Sequence, residues 1–192
     1  MAQVRPMRAD ARRNYERLLT VAAEAFAAQG EGASLDDIAK RAGVGSGTLY
    51  RHFPTRRALL EAAYADRIDA LAARAGELAD RLPPGEALVE WLYELGAGMT
   101  RIRGLRALLG SAVGGGGPAD TTSGCCDPLK TAVALLVGAA REAGALRTDV
   151  EPVDVLRLAH GMATASELAD GETGEGSHLR RYLGLLMEGL RP

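Results

Sequence analysis

Residues 34–57 read SLDDIAKRAGVGSGTLYRHFPTRR, and this stretch predicts two short helices joined by a tight turn. Ser34 is suited to cap the first helix, because a serine oxygen accepts a backbone N–H of the first turn. Gly43 is expected to end that helix, and residues 45–53 form the second one. Pro54 stops the second helix, because the residue before a proline is disfavoured in the helical region. Two short helices around a glycine-containing turn are typical of a helix-turn-helix.

The second short helix has the composition expected of a helix that enters the major groove of DNA. Small residues at its start allow the backbone to approach the DNA closely, and later residues offer hydroxyl, cationic and imidazole groups to phosphates and base edges. The small residues are Gly45, Ser46 and Gly47, and the polar ones are Thr48, Tyr50, Arg51 and His52. Leu49 and Phe53 are expected to face inward and hold this helix to its neighbours.

Charge is distributed unevenly along the chain. Residues 1–57 contain ten Lys and Arg against six Asp and Glu, a net charge of +4, whereas the remaining residues carry −6. A basic head on an acidic body is expected when the head binds a polyanion and the body does not.

The composition of the whole chain favours helices. Hydrophobic residues make up 47% and aromatic residues only 4%, and alanine and leucine, which are strong helix formers, supply most of the apolar content. We therefore expect an all-α protein of about nine helices. The predicted organisation is a flexible basic arm at residues 1–9, a helix-turn-helix domain at 10–54 and a helical body at 55–192. A long amphipathic helix at 55–82 joins the two domains.

Apolar runs and cysteines indicate the compartment. No apolar run approaches the roughly 18–20 residues needed to span a bilayer, and no apolar signal core follows the charged N-terminus. We expect a cytoplasmic protein. Cys125 and Cys126 are adjacent and do not form a disulfide framework. They are either incidental residues of a flexible loop or a redox or metal sensor. No metal site or cofactor is expected elsewhere.

The segment AGVGSGTLYRHFPTRRALL at residues 42–60 carries a specific pattern, G-x-x-x-G-T-x-Y-x-H-F. It resembles the tetracycline-repressor-like (TetR) family of bacterial regulators, and the similarity covers about residues 12–60, including the preceding LLTVAAEAFAAQG. The C-terminal LRRYLGLLMEGLRP is similar to actinobacterial members. The resemblance implies a non-enzymatic transcriptional repressor whose larger helical domain binds an effector and dimerises.

The resemblance also implies roles for individual residues. Thr48 and Tyr50 match positions that bond operator phosphates, and His52 matches a position near the DNA backbone. Ser46 and Gly47 match positions that face bases in some relatives, and Arg56 matches a basic position near a phosphate. The full candidate DNA-binding set is Ser34, Gly45, Ser46, Gly47, Thr48, Tyr50, Arg51, His52 and Arg56.

Side chains that could read bases are scarce in this helix, since Gly45 and Gly47 offer none. Specificity is then expected to depend on Ser46, Arg51, DNA shape and the basic N-terminal arm. The arginines of the arm are candidates for minor-groove contacts, with a solvated tail as the alternative. They are Arg5, Arg8, Arg12 and Arg13.

The resemblance implies a homodimer formed by the last two long helices. Gly161, Ala163 and Ala165 permit close helix approach, and an apolar stripe over residues 179–190 is expected to supply interface area. A small apolar or amphipathic effector is expected in the body. The candidate pocket residues, for which an ordinary structural role is the alternative, are Trp91, Tyr93, Met99, His160 and Met162.

Two other functions stay open at this point. One is a dimer that binds DNA without a ligand, which a body with no cavity of roughly 300 Å3 would favour. The other is a small-molecule enzyme with a basic head, although no catalytic pair or metal cluster has a persuasive spacing. For the repressor itself, the effector is expected to favour a dimer whose heads lie too far apart for adjacent grooves.

Overall fold

The computed structural model describes residues 5–113, 127–170 and 177–192, and within them the chain forms nine α-helices and no strand. A short 3-10 turn at Gly30–Gly32 follows the first helix. The helices are α1 (Arg5–Gln29), α2 (Leu35–Ala42), α3 (Ser46–His52), α4 (Arg56–Ala79), α5 (Pro84–Arg101), α6 (Arg103–Val113), α7 (Asp127–Glu142), α8 (Pro152–Asp170) and α9 (Ser177–Gly189). The predicted all-α fold is confirmed.

Helix boundaries follow local signals in the sequence. The Ser34 and Thr55 side chains accept hydrogen bonds from Asp37 N and Ala58 N, at 3.2 and 3.1 Å, and so cap α2 and α4. Gly43 ends α2 with a φ of 67°, a left-handed conformation that favours glycine. Pro84 stands in the first turn of α5, where its missing N–H costs no helical hydrogen bond.

The first helix begins earlier than the sequence predicted. Its backbone is helical from Arg5, whereas a flexible arm was expected through residue 9. Pro6 falls in the first turn, a position that proline tolerates well, and no glycine separates it from the rest of the helix. The basic N-terminal segment is therefore a helical extension from Arg5 onward rather than an arm.

Helix α5 lies at the centre of the body and packs against α4, α6, α7, α8 and α9. Trp91 is fully buried there, and its indole N–H donates to the Leu71 carbonyl on α4 at 2.8 Å. Gly96 allows α9 to approach closely, since a Cβ at this position would lie 2.8 Å from a Leu179 methyl group. The body is thus built around one central helix.

The head, comprising α1–α3 and the start of α4, is joined to the body through α4 and α6. The Tyr64 hydroxyl on α4 donates to the Ala23 carbonyl on α1 at 3.1 Å, and burial raises the pKa of this tyrosine. Gly104 at the start of α6 fits between the same two helices. A Cβ there would lie 2.6 Å from the Tyr64 hydroxyl oxygen and 2.9 Å from Phe26 Cβ.

The apolar stripe of α9 lies partly inside the protomer. Leu179, Leu183 and Met187 are buried inside the protomer, where α9 packs against α5 and α8. Ala163 of α8 is also buried in the core, whereas Gly161 and Ala165 are exposed. Leu186 and Leu190 are only half-buried. Leu179 and Leu183 are therefore covered by their own chain, whereas a role of the rest of the stripe in dimerisation stays a prediction.

Candidate nucleic-acid interface

Helix α3 has one buried side and one exposed side, as predicted. Leu49 is fully buried and Phe53, which follows the helix, is 5% exposed. Every other position of α3 is exposed, and Tyr50 keeps 44% of its surface accessible. The exposed residues are Ser46, Gly47, Thr48, Tyr50, Arg51 and His52. The structure therefore brings the sequence-predicted contact residues of α3 together on one solvent-facing surface.

The start of α3 is formed by the backbone of Gly45, whose carbonyl accepts hydrogen bonds from Thr48 N and Leu49 N at 2.9 and 3.1 Å. A Cβ at Gly47 would meet no atom within 4 Å, so nothing in the protein itself requires glycine at this exposed position. A glycine adds no side chain to the helix surface, so another molecule can approach the helix backbone closely at this position.

His52 is held in place by aromatic neighbours. The Tyr15 ring of α1 stacks on the Phe53 ring at 5.8 Å between centroids and meets the His52 ring edge-on at 6.3 Å. Tyr15 itself remains 40% exposed. This cluster fixes the C-terminal end of α3 against α1.

Arg17 connects α1 to the turn of the helix-turn-helix. Its Nε donates to the Ala42 carbonyl, at the end of α2, at 2.7 Å. The same guanidinium lies 3.0 Å from where a Cβ on Gly43 would be, so the turn has room for this arginine because residue 43 is a glycine. Arg17 has no signal in the sequence, because its contact joins residues far apart in the chain.

Ser34 and Arg56 have internal partners in the structure. The Ser34 hydroxyl oxygen caps α2, and an Arg56 nitrogen donates to the Ala33 carbonyl. Arg56 is half-buried, so it links the start of α4 to the start of α2. Phosphate contacts by either residue stay a prediction, and Arg56 would make one through its other N–H groups.

Arg12 and Arg13 are exposed on α1 and each forms an ion pair with a neighbour in the same helix. Arg12 pairs with Glu16 at 2.8 Å, and Arg13 pairs with Asp10. A helix is about 10–12 Å wide and the minor groove of B-DNA only about 6 Å. Because the backbone is helical from Arg5 onward, a minor-groove contact would come from arginine side chains rather than from an inserted extended backbone, and such contacts stay a prediction.

The predicted effector-pocket residues are dispersed in the body. Trp91 and Met99 are buried core residues, while Tyr93 and Met162 pack at the edge of the core. The Tyr93 ring is covered by the Arg180 guanidinium, 3.8 Å from its centroid. His160 lines a cleft between α6 and α8. Whether any of these residues contacts an effector stays a prediction.

A cavity that the sequence analysis did not identify lies at the turn between α4 and α5. It has a volume of about 970 Å3, and the connection between α7 and α8 and the end of α9 complete it. Leu82, Val89 and Met187 supply apolar surface. The charged lining residues are Arg180, Arg191, Glu86 and Glu90, of which Arg180 and Glu90 form an ion pair. The Pro83–Pro84–Gly85 turn was its only signal in the sequence, because the other walls come from distant segments.

Metal sites and membrane spans are both absent from the described residues. In the described ranges, no three His, Cys, Asp or Glu side chains are arranged to hold a metal ion. No helix there is long and apolar enough to cross a membrane. Cys125 and Cys126 lie outside the described residues.

Comparison with known proteins connects both halves of the chain to one class of protein, the helix-turn-helix transcriptional regulators. Residues 18–63 match the family of bacterial regulatory proteins of the tetR type. Residues 83–192, more than half of the chain, match the C-terminal domain of SbtR-like transcriptional regulators. The chain therefore belongs to the TetR family of transcriptional regulators. A comparison with curated proteins gives no match.

Solved structures of TetR regulators cover nearly the whole chain. The regulator SCO0520 from Streptomyces coelicolor is 36% identical, with a TM-score of 0.57, and the match covers 92% of this chain and 98% of that one. A regulator from Mycobacterium vanbaalenii is 33% identical, with a TM-score of 0.53 and coverages of 97% and 100%. FadR from Thermus thermophilus, a repressor solved with lauroyl-CoA, is 25% identical, with a TM-score of 0.59 and coverages of 91% and 93%.

Proposed function

We propose that this regulator is a homodimeric repressor that binds a near-palindromic DNA operator through α3 and is released by a small-molecule effector. The observation that carries the proposal is the exposed polar side of α3, held in place by Leu49 and Phe53. In this arrangement α3 enters the major groove and α2 crosses the backbone. Because the protein acts on DNA in this proposal, we expect it to be cytoplasmic.

The hydroxyl groups of Thr48 and Tyr50 are assigned to phosphate contacts. Both residues are exposed, and a hydroxyl is a suitable donor to a phosphate oxygen. Ser46 and Arg51 are assigned to base edges, with Gly45 and Gly47 allowing close approach. Arg12 and Arg13 are assigned to flanking phosphates, since exposed ion pairs are weak enough to be exchanged for a phosphate partner.

The dimer is proposed to form through the exposed sides of α8 and α9. On α8 a stripe of Leu158, Gly161, Ala165 and Leu168 is exposed, and the two leucines keep 41% and 84% of their surface accessible. Leu185 on α9 is 56% exposed. Exposed leucines flanking small residues on neighbouring helices are suited to close packing against a second copy.

The effector is proposed to be an amphipathic molecule that binds in the body. The cavity of about 970 Å3 exceeds the roughly 300 Å3 expected of a ligand site, which favours a ligand-responsive regulator over a DNA-binding dimer without a ligand. Its apolar walls suit a hydrocarbon part, and its charged lining, in which Arg180 is already paired with Glu90, suits a polar head group. The Thermus relative solved with lauroyl-CoA shows that a regulator of this family accepts such a molecule.

A signal from the body has a physical route to the head. Helix α4 runs from the helix-turn-helix to the cavity, and Tyr64 connects it to α1. The effector shifts the equilibrium only by the difference between its affinities for the DNA-bound and released forms of the dimer.

The proposal is tested by selecting bound sequences from random DNA with the purified protein and then screening metabolites for release. The expected result is a near-palindromic sequence and at least one amphipathic compound that lowers affinity for it. Enrichment of no sequence would contradict operator binding. Operator affinity unaffected by a broad set of compounds would contradict effector control alone.

A further inference from the structure

A polar cleft of about 700 Å3 lies where the head meets the body, apart from the cavity described above. Its walls come from three segments: the end of α1 with the following turn, the first half of α6, and the second half of α8. The lining residues with charged or hydrogen-bonding side chains are Gln29, Arg103, Arg106, His160, Thr164 and Glu167, and the Thr164 hydroxyl already donates to the His160 carbonyl.

The charges of this cleft are unbalanced. Arg106 and Glu167 form an ion pair that joins α6 to α8. Arg103 is exposed, and within the part of the chain that the structure describes its guanidinium has no ion-pair or hydrogen-bond partner. With two arginines and one glutamate, the cleft carries a formal net charge of +1.

His160 adds a third nitrogen group to the cleft, and a glycine makes room for it. A Cβ at Gly110 would lie 2.9 Å from the His160 Nε2 atom, so the imidazole rests against the bare backbone of α6. Glycine is unfavourable in a helix interior compared with alanine. Glycine at position 110 leaves space for the imidazole in the cleft, whereas an alanine methyl group would displace it.

We propose that this cleft binds the dianionic head group of a small organic molecule, either a phosphate monoester or a dicarboxylate. Both head groups spread two negative charges over several acceptor oxygens. Guanidinium groups recognise such oxygens through paired N–H donors, and Arg103 and Arg106 line the same cleft. The His160 imidazole and the Gln29 amide supply further donors, and the volume exceeds that of a bare ion.

The ligand would bridge the head and the body, because Gln29 and Gly30 line the cleft opposite α6. This site goes beyond the proposed function, since it is separate from the amphipathic cavity and its existence does not depend on operator binding. Occupancy is expected to restrain the junction, so amide hydrogen exchange slows in residues 29–33 and 103–110.

The test is a thermal-stability and hydrogen-exchange titration of the full chain, without DNA, using glycerol phosphate, succinate and sodium chloride at matched ionic strength. At least one of the two dianions is expected to stabilise the wild type more than chloride does and to slow exchange at the junction. A response to glycerol phosphate alone identifies a phosphoryl ligand, and a response to succinate alone identifies a dicarboxylate. A response equal to that of chloride for both dianions would overturn the proposal.

Variants locate the binding. Arg103→Gln is expected to lower the apparent affinity for the dianion in this titration about tenfold, as loss of one charge-assisted hydrogen bond predicts. Arg101→Gln removes an exposed arginine nearby that does not line the cleft, and it should respond as the wild type does. Gly110→Ala displaces the imidazole without changing any charge and should also weaken the response. The same apparent dianion affinity in all three variants would overturn the assignment of the site to this cleft. That conclusion holds whether or not the selection from random DNA finds an operator.

Discussion

At the scale of single residues, the surface of α3 divides its side chains between anchoring the helix and contacting DNA. Leu49 is fully buried, whereas Thr48 and Tyr50 on either side of it are exposed. Replacing either hydroxyl should therefore leave the fold intact and change only what the surface can bind. Arg56 is different, because its bond to the Ala33 carbonyl makes it part of the fold as well.

The Thr48→Ala/Tyr50→Phe variant tests the phosphate assignment. We expect its affinity for the selected operator and for an unrelated duplex to fall by about tenfold or more, because hydrogen bonds to charged groups are lost whatever the sequence. Fluorescence anisotropy with both duplexes measures this. Thr131→Ala, at an exposed threonine of α7, is the matched control and should bind as the wild type does. Full affinity of the double variant would disprove the residue assignment.

Arg51 is expected to behave differently from the hydroxyl pair. It is exposed on α3 and assigned to base edges, so Arg51→Ala should alter sequence preference as well as affinity. Repeating the selection from random DNA with this variant is the measurement. An unchanged consensus combined with uniformly weaker binding would show that Arg51 contacts only phosphates.

At the scale of helices, close packing at two glycines joins the parts of the molecule. Gly104 brings α6 against α1 and α4, and Gly96 brings α5 against α9. In both places an alanine methyl group would collide with a side chain of another helix. These contacts join residues that are distant in sequence, so each depends on the folded body as a whole.

Gly104→Ala is expected to destabilise the protein by about 1–3 kcal/mol, the usual cost of overpacking a close contact. Its methyl group would meet the Tyr64 hydroxyl and Phe26. The control is Gly138→Ala in α7, where a Cβ meets no atom within 4 Å. That change should stabilise by up to about 1 kcal/mol through helix propensity. Chemical denaturation measures both, and equal effects of the two variants would contradict the packing described for α6.

Arg180 joins α9 to α5 through an ion pair whose strength depends on pH. It donates to both carboxylate oxygens of Glu90 at 2.9 and 3.3 Å, and these hydrogen bonds lower the pKa of Glu90 from its ordinary value of 4.5. Because the pKa of Glu90 is lower in the folded state than in the unfolded state, the ion pair with Arg180 stabilises the fold fully above the unfolded-state pKa. It is lost as pH falls through the folded-state pKa.

Arg180→Gln should therefore lower the melting temperature by about 1–3 °C near neutral pH, as a partly exposed ion pair predicts. The difference from the wild type should narrow as the pH falls through the folded-state pKa of Glu90, because the carboxyl is then protonated in both proteins. Melting curves across this range are the measurement, and Arg181→Gln, at an exposed neighbouring arginine, is the control. A difference that does not change with pH would indicate that Arg180 acts only by packing over Tyr93.

At the scale of the whole molecule, the proposed dimer determines what the protein can recognise. Two copies related by a two-fold axis would present two α3 helices about 34–36 Å apart, the separation of successive major grooves. The exposed leucines of α8 and α9 are the part of the surface assigned to this contact. Operator binding and dimerisation should therefore be lost together.

A Leu168→Glu/Leu185→Glu variant is expected to be monomeric and to bind the operator at least about tenfold more weakly, because charges on an apolar interface oppose its burial. Sedimentation analysis and anisotropy give the two readings. Leu135→Glu, which changes a leucine of α7 that is 53% exposed, is the matched control and should remain dimeric. A double variant that stays dimeric would place the interface elsewhere.

The helix-turn-helix could be predicted from the sequence because its signals are local. Ser34 caps α2, Gly43 takes a left-handed conformation, and Pro54 limits α3, and each acts within a few residues of its own position. The spacing of Leu49 and Phe53 likewise indicated which side of α3 is buried. The phosphate-binding candidates Thr48, Tyr50 and His52 followed from the motif, and all three are exposed.

Other features were decided only by tertiary structure. A helical stripe indicates that one face is buried but not what covers it, and for Leu179 and Leu183 the cover is the chain's own α5 and α8 rather than a second copy. The bond from Arg56 to Ala33 and the cleft around Arg103 and His160 likewise join segments far apart in the chain. Local periodicity carries no information about such contacts, because they arise only when separate helices pack together.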